Sequence, residues 1–412
     1  MSDALNDVLD TQRDEERRKA VRALLRSPLL TPRGRQAAEY ALVRRHAGVL
    51  AEWFARETGW SLHTDSGVAR LRKTPGRLDD GSRAATARSK GPFSRRRYVL
   101  ACLALAALER SESQVTLGWL VDRVMAFAQD EELTGAGIVF ALDKRDERAD
   151  LVAVAQLLLE IGVLVKVAGD EQSFVNRSGD ALYDVDRRVL SVLLATRRGP
   201  SMVAAAQDGP QDRPQEILRD RLRAITEELT PDTGDGRNRQ IRHTISRRLL
   251  DDPVLYYADL TTDERTYLER QRGPLLKRLT EATGFVAEVR AEGIALLDPT
   301  REATDLGMPD EGTDGHATLL LAEFLSDRLR AGLDTVGVEA AEQHMKKLIG
   351  AHKAHWRKSA KDPGAERELT ALALRRLAAL GLIALSGQTV RPLPALARFG
   401  YAPAKITGKN RV

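Results

Sequence analysis

The sequence predicts a mainly α-helical chain with short β-hairpins, built as two copies of one arrangement. Three observations predict it. Apolar residues recur at spacings of 3 and 4 along most of the 412 residues, as in Leu151, Val154, Leu158 and Ile161, so each such segment buries one face. Short apolar–polar alternations follow these segments, as at 60–63 and 68–71 around the turn Thr64-Asp65-Ser66-Gly67, which is the period of a half-buried strand. The third observation is self-similarity. Residues 46–60 (HAGVLAEWFARETGW) align with 271–285 (QRGPLLKRLTEATGF) at an offset of 225, matching Gly48/Gly273, Leu50/Leu275, Thr58/Thr283 and Gly59/Gly284, with Pro28 facing Pro253 upstream. Further on, one ungapped offset of 219 carries 98–108 onto 317–327, 115–120 onto 334–339 and 151–167 onto 370–386, pairing Leu158 with Leu377 and Gly162 with Gly381. Helical periodicity aligns apolar phases; it does not by itself align glycines.

The elements follow in order. Helices are predicted at 13–26, 33–45 and 47–58, closed by the hairpin 60–71. Three helices and a hairpin is the winged-helix order. A polar linker, 74–92, comes next. Helices at 98–110, 115–129 and 147–161 follow; Gly162 supplies the residue past the helix end, 163–167 reads as a strand, and Phe174-Val175 reads as its return. Residues 199–237 hold Pro200, Pro210, Pro214 and Pro231 and a glycine-rich stretch, a linker composition with one helix at 215–229. Helices at 238–250, 262–271 and 273–283 then precede a hairpin of 286–290 and 294–297. The last group is 315–330, 336–349 and 365–380, with a short wing at 382–385 turning at 386–388. The predicted units are therefore 1–75, 76–198, a linker 199–237, 238–311 and 312–412, four of them winged-helix-like.

Composition narrows the function. Hydrophobic residues make up 42% and charged residues 30%, a globular, charge-dense balance. No run of about 18 apolar residues occurs, so no membrane span is expected. The first 26 residues hold no apolar core of a secretory signal, and Cys102 is the single cysteine, so a disulfide framework is excluded and a cytoplasmic location is expected. Net charge is +5, and 51 of the 64 basic residues are arginine. That balance permits nucleic-acid binding without requiring it.

Catalytic patterns are missing. There is no phosphate loop of the G-x-x-x-x-G-K-[ST] type, no H-E-x-x-H and no G-x-S-x-G. His344, His352 and His355 form the nearest approach to a metal cluster, but no carboxylate lies between Glu342 and Asp362, so a solvated basic segment is the better reading. Residues 305–315 (DLGMPDEGTDG) lack the order of a calcium hand and read as the entry to a helix capped by Thr313 or Asp314. The expectation is a non-enzyme with no cofactor, metal or catalytic residue.

Two basic stretches stand out. Residues 83–97 carry Arg95, Arg96 and Arg97 and no acid; residues 344–361 carry Lys346, Lys347, Lys353, Arg357, Lys358 and Lys361 and again no acid. Clustered cations without acids are what phosphate neutralisation needs, so these nine are the candidate nucleic-acid contacts. A solvated charged face is the competing reading. In the first copy, the acidic tip Asp170-Glu171 argues against groove reading.

Three segments, 252–279 (DPVLYYADLTTDERTYLERQRGPLLKRL), 291–298 (AEGIALLD) and 312–330 (GTDGHATLLLAEFLSDRLR), resemble the KITE or MukE-like accessory subunit of Wadjet-type plasmid-defence cassettes. The resemblance runs over most of the chain in order and length and is most specific at 252–330. It implies a tandem winged-helix subunit that pairs with itself, binds a kleisin-like subunit, and helps an SMC-like ATPase engage double-stranded DNA for a toprim-type nuclease. Such subunits have no catalytic residues. The chain is longer than a minimal subunit, with four winged-helix-like units rather than two. The alternative is a free-standing winged-helix transcriptional regulator, which wants a basic recognition helix; the third helices here mix signs, with Glu366, Arg367, Glu368, Arg375 and Arg376 in one.

Overall fold

The structure, a computed structural model, describes residues 2–78, 80–87, 91–135, 137, 140, 144–176, 179–194, 199–205, 214–308 and 311–400. The chain is mainly helical with small antiparallel sheets. It opens with α1 (Ser2–Arg26), β1 (Leu29–Leu30), a 3-10 turn, α2 (Ala37–Arg45), α3 (Ala47–Thr58) and the hairpin β2 (Ser61–Thr64) and β3 (Ala69–Arg72). β4 (Thr86–Ala87) and β5 (Gly91–Pro92) pair in the connection. A second run follows: α4 (Arg95–Glu109), β6 (Gln114–Thr116), α5 (Leu117–Ala128), α6 (Glu131–Gly135), α7 (Arg145–Glu160), β7 (Leu164–Gly169), α8 (Glu171–Val175) and β8 (Ala181–Val185). Short helices α9 (Arg187–Val192), α10 (Pro200–Ala205) and α11 (Pro214–Thr226) lead to a third run of α12 (Gly234–Asp251), β9 (Leu255–Tyr256), α13 (Thr262–Thr283), β10 (Val286–Val289) and β11 (Gly293–Leu297). The fourth is α14 (Gly312–Arg330), β12 (Val336–Gly337), α15 (Val338–Ala351), α16 (Ala365–Ala379), β13 (Ile383–Ser386) and β14 (Thr389–Pro392).

One strand order recurs in all four runs. The strand after the first helix pairs with the last strand, which pairs with its hairpin neighbour: β1-β3-β2, β6-β8-β7, β9-β11-β10 and β12-β14-β13. Local chemistry sets the helix ends. Thr116 caps α5 by accepting from the Trp119 N–H, and Thr261 and Glu264 form a reciprocal box at the start of α13. Gly162 and Gly381 both adopt positive φ, +79° and +65°, which a side chain would resist. Each is followed by the same return bond, Val163 N–H to Leu158 C=O at 2.9 Å and Leu382 N–H to Leu377 C=O at 3.0 Å.

The apolar side chains gather in three clusters. The second run has its own, around Leu108, Leu120, Leu158 and Tyr183, and the fourth has its own, around Leu321, Leu325, Met345 and Leu377. The first and third runs share one: Leu24, Phe54 and Trp60 pack with Ile245, Leu275 and Leu279. The two runs also exchange matching bonds at positions 225 apart. Arg22, buried on α1, donates from Nη1 to the Thr283 carbonyl at 2.9 Å, and Arg247, buried on α12, donates from Nε to the Thr58 carbonyl at 2.7 Å. Thr58 and Thr283 each bond back to the carbonyl four residues earlier at 2.7 Å, and Gly59 and Gly284 follow with φ of +68° and +76°. Each run's first helix thus satisfies carbonyls at the end of the other's last helix, groups that a helix leaves unpaired.

Several expected elements differ. The first helix begins at Ser2 rather than 13. The segments 262–271 and 273–283 form one helix through Pro274, because Leu268 on one side of the proline and Leu275, Leu276 and Leu279 on the other enter the same cluster. The return of the second run's wing is not Phe174-Val175, which lies in α8. It is β8, where Ala181, Tyr183 and Val185 point inward in alternation. The short strands β1, β6, β9 and β12 were not expected. The helix at 215–229 ends at Thr226 and leaves Leu218 and Leu229 exposed. Glu311 stands at the N-cap of α14 in place of Thr313 or Asp314. Among the described residues no helix is long and apolar enough to cross a membrane.

Candidate nucleic-acid interface

The nine candidate cations divide by what they touch. Arg95, Arg96 and Arg97 open α4, where the Ser94 hydroxyl accepts from the Arg97 N–H. Arg95 points to solvent. Arg96 and Arg97 converge on Asp150 of α7, which is buried; their Nε atoms each stand 2.6 Å from one of its carboxylate oxygens. Two guanidiniums on one carboxylate fasten α4 to α7, and their forks are committed inside the fold. Arg97 also lies over the Phe93 ring.

The second stretch starts in the last turns of α15 and runs to a 3-10 turn at Lys358–Lys361. Trp356 plugs this segment into the fold. It is buried, its Nε1 donates to Nδ1 of His316 at 3.1 Å, and the His352 ring stacks on it. His352 also meets His316 edge to face at 4.6 Å between ring centres. Arg357 adds a clamp: its N–H donates to the Thr313 hydroxyl at 2.8 Å, and its guanidinium pairs with Asp314 at 2.8 Å and Glu368 at 3.5 Å. Lys346, Lys347, Lys353, Lys358 and Lys361 are exposed, and none forms an ion pair among the described residues. Lys346 is tempered by Glu339, Glu342 and Glu366, which line the same shallow depression.

His316, His344 and His352 are packing groups, and His355 is exposed. His344 stacks on Phe324, with ring centres 4.1 Å apart, and so stands apart from His352. Burial, with Lys347 and Arg328 nearby, lowers its pKa; burial and the neighbouring His352 lower that of His316. A neutral imidazole suits an aromatic stack. His316, missing from the sequence reading, lies 40 residues from Trp356 and leaves no local signal. The cluster of exposed lysines can neutralise phosphates as point charges. Among the described residues no three metal-ligating side chains converge.

A family model described as "Protein of unknown function (DUF2398)" matches residues 21–402, and the chain belongs to that family. Neither the curated proteins nor the solved structures contain a match.

Proposed function

We propose that this family member is a non-catalytic, duplicated winged-helix subunit of an SMC-like complex. It binds a kleisin-like subunit, works beside an SMC-like ATPase and a toprim-type nuclease, and supports engagement of double-stranded DNA in defence against plasmids in the cytoplasm. One observation supports the reading: the same strand order, with the first strand beside the last, occurs four times in one chain, each time after a leading helix. The similarity of 252–330 to accessory subunits of such complexes adds the partners.

Of the nine cations, Arg95 and the five unpaired lysines are the ones free to meet phosphate. Arg96, Arg97 and Arg357 hold elements together instead. DNA contact on the fourth run therefore rests on Lys346, Lys347, Lys353, Lys358 and Lys361.

The test is plasmid transformation of cells that carry the genes for this chain, the kleisin-like subunit, the ATPase and the nuclease under a foreign promoter. Removing this chain's gene should restore transformation to the level of empty cells, and supplying it in trans should abolish it again. Full protection without this chain would refute the subunit reading. Protection lost only under the native promoter would point to the regulator.

A further inference from the structure

A second basic site lies away from those lysines. Between α3, α12 and α13 opens a cleft of about 730 Å³. Arg56, Arg237, Arg242, Arg270 and Arg278 line it against two carboxylates, Glu57 and Asp263. Glu57 is already committed: it is buried and accepts from Arg56 at 2.9 Å and Arg278 at 3.0 Å. Arg270 is exposed and forms no ion pair among the described residues, and Arg237 reaches only the exposed Asp232. Its apolar side chains are Ile241 and the Tyr267 ring, both part-buried and packed on the shared cluster.

The positions 225 earlier carry a different set of side chains. There Trp53 stands in place of Arg278, Glu16 in place of Ile241 and His46 in place of Gln271. Trp53 is buried, and Glu16 bonds His46 at 3.0 Å and Arg45 at 3.1 Å. Arg17 and Arg45 stand where Arg242 and Arg270 do, but Arg45 is paired with Glu16, whereas Arg270 has no acid paired with it among the described residues. Filling the cleft with an apolar side chain would stabilise the fold, so packing gives no reason for the open, cationic form.

We propose that this cleft binds the phosphodiester backbone of double-stranded DNA, an inference that rests on the reading of the chain as a DNA-engaging subunit. Guanidinium forks match phosphate oxygens two at a time, and arginines on three helices can meet successive phosphates. An acidic peptide would want a deep apolar pocket for an anchor side chain, whereas Ile241 and Tyr267 are packed into the shared cluster and leave the arginines as the exposed feature.

The test titrates a labelled 30-bp duplex with the full chain, by fluorescence polarisation, across a salt series. Arg237→Gln/Arg270→Gln should flatten the log K against log salt slope by about 1.8 and weaken binding roughly 60-fold at 0.1 M salt, from a slope near −0.9 per contact. A thermal melt checks folding; if the pair lowers it, Arg270→Gln alone should flatten the slope by about 0.9. Unchanged affinity and slope, or no duplex binding by the wild type, overturns the inference. Loss of kleisin-like subunit binding with DNA affinity intact also overturns it and makes the cleft a seat for an acidic segment. Duplex binding through the cleft by a chain that ignores the kleisin-like subunit supports the cleft and refutes the subunit reading.

Discussion

Replacing Arg247 by methionine tests the shared core where the two runs depend on each other. The side chain is buried, and its Nε–H is bonded to the Thr58 carbonyl of the other run. Its Nη2 pairs with Glu228, which also holds His243 at 2.8 Å. Burial pulls the Arg247 pKa down while Glu228 pulls it up, so the partner offsets part of the cost of burying the charge. Methionine keeps most of the apolar stem but leaves a buried carbonyl unpaired, about 1–3 kcal/mol, and strips a largely buried carboxylate of its guanidinium partner while His243 stays. Glu228 is 20% exposed and can partly rehydrate, so the total should be about 3 kcal/mol. The equivalent Arg22 bonds Glu15 and Glu302, which are 44% and 48% exposed, and Arg22→Met should cost less, about 2 kcal/mol. The assay is urea unfolding followed by tryptophan fluorescence in a Trp119→Phe/Trp356→Phe background, where Trp53 and Trp60 report on the shared cluster. With a slope of about 2–3 kcal/mol/M, Arg247→Met should move the midpoint down by roughly 1 M. A shift below roughly 0.2 M, or an equal loss for both arginines, would refute the reasoning.

Asp252→Asn should stabilise the chain in a pH-dependent way. Burial pushes the Asp252 carboxyl up to about 6, outweighing Arg248. The folded state therefore holds this proton more tightly, and its contribution is complete below the unfolded pKa and lost as pH rises through 6. The variant should match wild type near pH 4 and exceed it by up to about 3 kcal/mol at pH 8; a gain independent of pH in denaturant titrations would count against this. Reversing Lys353, Arg357 and Lys358 to Glu should flatten the salt slope of DNA binding by roughly two units rather than three, since Arg357 is held by Asp314 and Glu368. An unchanged slope would make the lysines a solvated face. The purified chain should hydrolyse neither ATP nor DNA with Mg²⁺ or Mn²⁺, and turnover that tracks one protein peak through repurification would contradict the non-catalytic reading.

The helices that a reader could find in the sequence are those whose apolar residues point to one cluster. The pattern of α7 or α16 is legible because Leu151, Leu158, Leu369 and Leu377 all face inward. The first strands were hidden because two or three residues carry no period, and only their pairing with a distant hairpin makes them strands. Pro274 misled because local propensity favours a break there, while tertiary burial on both sides favours continuity. The basic stretch at 344–361 was legible as charge. Its division into clamps and free lysines was not, because Asp314, His316 and Glu368 reach it from other helices. The arginine cleft draws its residues from 56 to 278 and shows no cluster along the chain.

Light scattering on a mixture of this chain with the kleisin-like subunit of its cassette, resolved by size exclusion at micromolar concentration, measures whether the two form a complex. A single peak of defined stoichiometry that persists through the Arg237→Gln/Arg270→Gln change is the expected result. Separate elution of the two proteins, each at its own mass, would contradict it.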